Sequence, residues 1–221
     1  VMNHKHGMHI KLINLSIRVT TLACRFLFIF FLAKLLSPSE VGLYGLVTAT
    51  VAYSLYFVGL DFYTYTTREL AGYDRDRWGG LLKNQMILSL GLYCLVLPAL
   101  TLVFVTGMLP WELAKWFFLL IIMEHICQEL TRLFVAVSEQ LAASIVLFLR
   151  QGTWAVIIVA LMLYEESFRN LEAVFGAWAV ACLVAIVFSI RKLRLMNVGG
   201  WRGKIDKAWI WRGIKIATPL L

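Results

Sequence analysis

Six long apolar runs divide the chain, at about 12–36, 41–65, 81–108, 113–136, 145–164 and 171–190. At about 1.5 Å per residue, each run covers most or all of a hydrocarbon core about 30 Å thick. The pattern predicts an all-α integral membrane fold of six transmembrane helices. Ser37, Pro38, Ser39 and Glu40 break the first run from the second, because proline stops a helix while serine and glutamate cap the next. The stretch 66–80 holds Arg68, Glu69, Asp74, Arg75, Asp76 and Arg77 and is expected to return to water. Gly91 and Pro98 mark a bend in the third run, and Pro110 with Trp111 a tight interfacial turn into the fourth.

Two runs break the apolar rule. The first carries Arg18 and Arg25, seven residues apart and therefore within about 20° on a helix surface. Asn14 and Thr21 are expected to join them on that face, which continues with Ile29 and Leu32, so its polar half is the first half. An arginine near mid-bilayer costs from about 2.5 to more than 10 kcal/mol, which directs such residues to a protein interior or a wet cavity. Arg18 is close enough to the helix start for snorkelling as a second reading; Arg25 is deeper. The fourth run carries Glu124, His125, Gln128, Glu129, Arg132 and Glu139 on one side. Spacings of three and four allow Arg132 to meet Glu129 or Gln128. This face either lines water or neutralises itself, and Glu124, deepest in the run, is the candidate for a proton relay. Arg150 near the start of the fifth run is a further intramembrane cation.

The composition agrees with a membrane protein: 61% hydrophobic and 15% charged residues, with a mean hydropathy of +0.78. A net charge of +8 would point to nucleic acid in a soluble protein. Here the basic residues gather at the ends of apolar runs, so anionic lipid is the expected partner and nucleic acid is not. Lysine and arginine dominate the N-terminus, the second loop and the segment after the sixth run, which places the N-terminus in the cytoplasm. The segment 191–215 interleaves eight basic residues with Trp201, Trp209 and Trp211 and reads as a basic interfacial linker. Residues 216–221 read as the start of a truncated seventh helix. The domain organisation is thus a six-helix lobe at 1–190, the linker and that start. Valine before Met2 fits an alternative start codon or a fragment boundary. No cleavable signal peptide is expected. Cys24, Cys94, Cys127 and Cys182 lie in apolar segments without metal-site spacing, and His4, His6 and His9 belong to an exposed N-terminus, so neither metal nor cofactor is expected.

The run LAKLLSPSEVGLYGL (32–46), with Pro38, Glu40, Gly42 and Tyr44, resembles the first inter-helix link of Wzx-type polysaccharide flippases. VGLDFYTYTTRELA (58–71) is similar to the end of that family's second helix, with Gly59, Leu60, Arg68 and Glu69 in place. Ser37 departs from it where glycine is frequent. The resemblance implies the N-terminal lobe of a MATE-like exporter in the multidrug/oligosaccharidyl-lipid/polysaccharide superfamily, with the C-terminal lobe missing from this sequence. It implies a bacterial inner-membrane translocator of an undecaprenyl-diphosphate-linked oligosaccharide for surface polysaccharides such as O-antigen, not an enzyme, with a polysaccharide polymerase as a further partner. Arg18 and Arg25 resemble the family's first-helix cavity arginines. Arg132 and Arg150 join them as substrate-binding cations, with Asn14, Thr21, Asp61, Glu124, Gln128 and Glu129 as supporting polar groups and Asp61 as a cap or gate. Planar guanidinium donors grip phosphate at two points.

Three other functions compete. A drug or organic-cation antiporter lobe of the same superfamily would prefer carboxylates to the arginine pair. A polymerase or acyltransferase would need a substantial catalytic loop, and the outer loops are short. A non-transporting scaffold subunit is the third.

Overall fold

A computed structural model of the chain describes residues 2–217, with side chains from residue 11 onward. Every regular element among them is helical: α1 (Met2–Leu35), α2 (Pro38–Gly59), α3 (Tyr63–Gly72), α4 (Arg75–Leu100), α5 (Leu102–Val105), α6 (Ala114–Ala136), α7 (Gln140–Phe148), α8 (Trp154–Tyr164), α9 (Leu171–Leu195) and α10 (Lys207–Ala217). Five helical stretches are long and apolar enough to cross a membrane: Lys11–Leu35, Pro38–Gly59, Arg75–Val105, Gln140–Tyr164 and Leu171–Leu195. The expected fourth span, α6, has 23 residues but carries Lys115, Glu124, Glu129 and Arg132, side chains that need partners or water and not lipid. Among the described residues the count carried by length and apolarity is therefore five, and α6 is not among them.

The core forms where α6 runs along α9 and α7, with α1 laid against α7 and α8. The apolar part of α9 is 44% buried and that of the α4–α5 stretch 6%, so α9 is central and α4 peripheral. Phe117, Leu120, Ile121, Val174, Phe175 and Cys182 are fully enclosed between α6 and α9.

Several boundaries differ from the sequence expectation. The start of α2 follows local chemistry: Ser37 accepts from the Glu40 N–H while the Glu40 carboxylate accepts from the Ser37 N–H, with Pro38 in the first turn. Its end comes at Gly59, six residues before the expected 65, because Leu60 and Asp61 turn left-handed at φ 45° and 46°. Leucine seldom adopts that conformation, so the bend is imposed by its surroundings. The expected loop 66–80 is mostly helix, comprising the end of α3 and the first turns of α4. Its charges Arg68, Asp74, Arg75, Asp76 and Arg77 point outward, while buried Trp78 donates its indole N–H to the carbonyls of Leu70 (3.1 Å) and Tyr73 (2.8 Å) and pins the corner. The third helix thus starts at Arg75, not 81, and α4 breaks at Thr101, whose hydroxyl donates to the Pro98 carbonyl at 2.6 Å. The fifth starts at Gln140, not 145, and the sixth runs on to Leu195, not 190.

The expected linker 191–215 is docked. The Gly79 N–H donates to the Gly199 carbonyl at 2.7 Å, and the Gly199 N–H to the Arg75 carbonyl at 3.1 Å. A Cβ on Gly79 would lie 2.3 Å from that carbonyl oxygen, so this approach requires glycine. On α10, Trp209 packs between Phe62 and Tyr65 at ring distances of 5.5 and 5.0 Å and donates to Glu69 at 3.2 Å. Of the expected seventh-helix start, Ile216 and Ala217 end α10; residues 218–221, and the side chains of His4, His6 and His9, lie outside the described residues.

Candidate functional site

A cavity of about 310 Å³ lies among α1, α2, α6, α8 and α9. Its polar lining comes from distant parts of the sequence: Arg25 of α1, Asp61 at the α2–α3 bend, Glu124, Gln128 and Arg132 of α6, and Arg150 with Gln151 between α7 and α8. The floor is aromatic. Trp154 stacks on Trp178 at 6.0 Å, and Phe28 meets Trp154 and Tyr44 edge-on at 4.8 and 5.5 Å.

Arg150 sits in a π-helical turn, Leu149–Thr153, that interrupts the fifth span. Such turns insert an extra residue and recur at functional sites. This one is held by two local bonds: the Thr153 hydroxyl donates to the Phe148 carbonyl at 3.2 Å and the Trp154 indole N–H to the Arg150 carbonyl at 2.8 Å. The guanidinium points inward, and its Nη1 lies 2.9 Å from Glu124 Oε1, the side chains being 8% and 9% exposed. The other Glu124 oxygen accepts from the Trp178 indole and the Cys182 thiol, each at 3.4 Å. Arg150 Nε is buried without a hydrogen-bond partner among the described residues.

One turn further along α6, Arg132 pairs with Glu129 at 2.9 Å and lies over the Tyr63 ring at 3.7 Å. The Gln85 amide also donates to Glu129. His125 Nδ1 and the Tyr93 hydroxyl share a hydrogen bond of 2.7 Å, whereas His125 Nε2 is buried with no hydrogen-bond partner among the described residues.

Arg25 differs from both other cations. It is exposed at the cavity edge, its Nη1 donates to Gln151 Oε1 at 3.2 Å, and among the described residues it forms no ion pair. After the Glu124–Arg150 and Glu129–Arg132 pairs are set aside, Arg25 and half-buried Asp61 carry the uncompensated charge of the cavity.

Six of the ten residues singled out in the sequence come together here: Arg25, Asp61, Glu124, Gln128, Arg132 and Arg150. Arg18 is exposed and does not line the cavity; Asn14 and Thr21 are buried and do not line it either. A four-residue step is 400°, so Asn14 and Thr21 lie about 40° away from Arg18 and Arg25, and the edge of the buried face of α1 falls between them. The Thr21 hydroxyl donates to the Ile17 carbonyl at 2.8 Å. Its backbone lies against Gly152, whose absent Cβ would stand 3.5 Å from Thr21 Cα and 2.7 Å from the Phe148 ring. Glu129 lines a second groove on the far side of α6.

Tyr44, noted only as a motif position, and Gln151 and Trp178 belong to the cavity without having been named as site residues. Gln151 carried a signal, since it stands beside Arg150 in an apolar run; the two aromatics look like any other core residues in sequence. Searches of protein-family models, curated proteins and solved structures find no match to the chain.

Proposed function

We propose that the chain forms one lobe of a flippase that carries a lipid-diphosphate-linked oligosaccharide across the bacterial inner membrane, the N-terminus lying in the cytoplasm. The observation that carries this reading is the convergence of Arg25, Arg132 and Arg150, from three separate helical elements, on one cavity in which Arg25 has no carboxylate partner among the described residues. A diphosphate offers several oxygens to planar donors, and a charge-assisted bond of this kind contributes about 1.5 to 3 kcal/mol. The aromatic floor suits the apolar faces of sugar rings. Ile29 and Tyr56 line the cavity and are 55% and 60% exposed, which leaves an open side for a facing lobe. No covalent chemistry is required: the cation holds the diphosphate while the lobes rock, and hydroxyl and amide groups such as Thr48 and Gln128 meet the sugar.

A second reading, an organic-cation antiporter lobe, draws on Asp61, a cavity carboxylate with no ion pair among the described residues. One experiment separates the two. The full chain in detergent micelles is titrated with farnesyl diphosphate and, separately, with tetraphenylphosphonium, for the wild type, Arg25→Ala, Arg25→Lys and Asp61→Asn. The flippase reading expects diphosphate binding that weakens at least about 10-fold in Arg25→Ala and is partly kept in Arg25→Lys. Unchanged diphosphate binding in Arg25→Ala refutes it. Tetraphenylphosphonium binding that vanishes in Asp61→Asn supports the antiporter.

A further inference from the structure

The second groove is larger than the cavity, about 850 Å³, and is walled by α3, α4, α6, α9 and the turn after α9. It exists because α4 packs on α2, α3 and α10 but stands away from α6 and α9. Two polar links cross the gap between α4 and α6, Gln85 to Glu129 and Tyr93 to His125. Both use up polar groups that would otherwise face the groove, and the rest of the wall is mostly apolar. Met86, Leu90, Ile126 and Ile190 line it with exposures of 58, 60, 36 and 43%.

Three features constrain what fills this space. An apolar recess of this volume in a bilayer neither holds water well nor stays empty, because its lining would forgo dispersion contacts. Its length fits a leaflet: the lining residues run from Leu82 to Tyr93 on α4, eleven steps or about 16 Å of helix, and from Ile186 to Arg194 on α9, eight steps or about 12 Å, against about 15 Å for half of the hydrocarbon core. Its charge is asymmetric. Arg132 and Glu129 in the wall are paired with each other; one end carries Arg194, which forms no ion pair among the described residues, and Trp201, while the other ends among Tyr93, Ile126 and Ile186. Tryptophan and arginine at one end of an apolar slot match the boundary between headgroups and acyl chains.

We propose that this groove is a binding site for one anionic glycerophospholipid, an acyl chain lying between α4 and α9 and the phosphate held by Arg194. The lipid completes the packing of α4 onto the lobe. The groove meets the cavity at Arg132, which lines both, but the proposed phosphate site at Arg194 does not depend on what the cavity carries.

The test is native mass spectrometry of the full chain, released from micelles after incubation with equal amounts of phosphatidylglycerol and phosphatidylcholine. The expected result is one retained lipid per chain, mainly phosphatidylglycerol. Arg194→Gln reduces that preference about fivefold, the equivalent of the roughly 1 kcal/mol that one basic residue contributes beside an anionic headgroup. Arg191→Gln, one turn away and outside the lining, leaves it unchanged. Ile190→Trp and Leu90→Trp each fill the slot and abolish retention, and because both side chains are partly exposed neither needs the core to rearrange. Absence of a retained lipid, equal retention of both headgroups, or wild-type retention in both tryptophan variants overturns the proposal. So does displacement of phosphatidylglycerol by equimolar farnesyl diphosphate, which would assign the groove to an isoprenoid.

Discussion

Helix α6 carries two carboxylate–arginine pairs five residues apart, and they are built for different ends. Glu124 reaches out of its own helix to Arg150 in the π turn, at 2.9 Å and with both side chains at most 9% exposed. Glu129 meets Arg132 of the same helix at the same distance, with exposures of 18% and 26%. The first pair joins two elements and is nearly closed off from solvent. The second can open without separating any helices, and Arg132 keeps the Tyr63 ring when it does. Equal distances therefore hide unequal settings: Glu124–Arg150 is a buried lock between two elements, and Glu129–Arg132 is a partly exposed pair within one helix. Of the two expectations for the polar face of α6, lining water or pairing internally, internal pairing is present at both Glu124 and Glu129.

Removing half of the lock gives the largest expected effect. Arg150→Ala leaves Glu124 buried and unpaired and lowers the stability of the full chain in micelles by about 3 to 5 kcal/mol. Adding Glu124→Gln removes the stranded charge and restores more than half of the loss. Thermal unfolding of the two variants checks both statements. A loss below about 1 kcal/mol in Arg150→Ala would show that water reaches this pair, and the contrast with Glu129–Arg132 would collapse.

The next effect is on binding as well as stability. Glu129→Gln keeps a hydrogen-bonding group toward Gln85 and Arg132, so its stability cost is expected near 1 kcal/mol. It also frees the charge of Arg132. Under the flippase reading, farnesyl diphosphate then binds several-fold more tightly than to the wild type, and the Arg25→Ala defect is partly offset in the double variant. Unchanged affinity in Glu129→Gln would mean that Arg132 takes no part in anion binding.

The difference between the pairs also marks what the sequence could reveal. Glu129–Arg132 is an i,i+3 pair, visible from spacing alone. Glu124–Arg150 is not, because 26 residues and a helical turnaround separate its members, and no periodicity predicts a π turn at 149–153. The helical class followed directly from six apolar runs, and the cap of α2 from Ser37, Pro38 and Glu40. The end of α2 did not, since left-handed Leu60 goes against its own propensity, and the residues just beyond it pack on Trp209, about 150 residues further on. The docked segment after α9 was equally hidden: glycines at 79, 199 and 200 allow backbones to meet, but only in pairs that one strand of sequence does not show. On α1 a shared polar face was legible, whereas the 40° offset that buries Asn14 and Thr21 and leaves Arg18 and Arg25 outside depends on where α7 and the π turn press against it.

A third ion pair extends the comparison to the weak limit. Lys192 of α9 meets Glu139, just before α7, at 3.0 Å with exposures of 31% and 32%. Like Glu124–Arg150 it joins two elements, but like an ordinary surface pair it remains in contact with solvent. If burial and not connectivity makes the lock, Lys192→Ala costs at most about 1 kcal/mol. The cost should also shrink in about 1 M salt, where the screening length is about 3 Å, whereas the cost of Arg150→Ala should not change. Unfolding both variants at low and high salt decides the matter. A salt-insensitive loss of several kcal/mol in Lys192→Ala would show that tying α9 to the start of α7 matters more than burial, and the ranking of the pairs would have to follow connectivity instead.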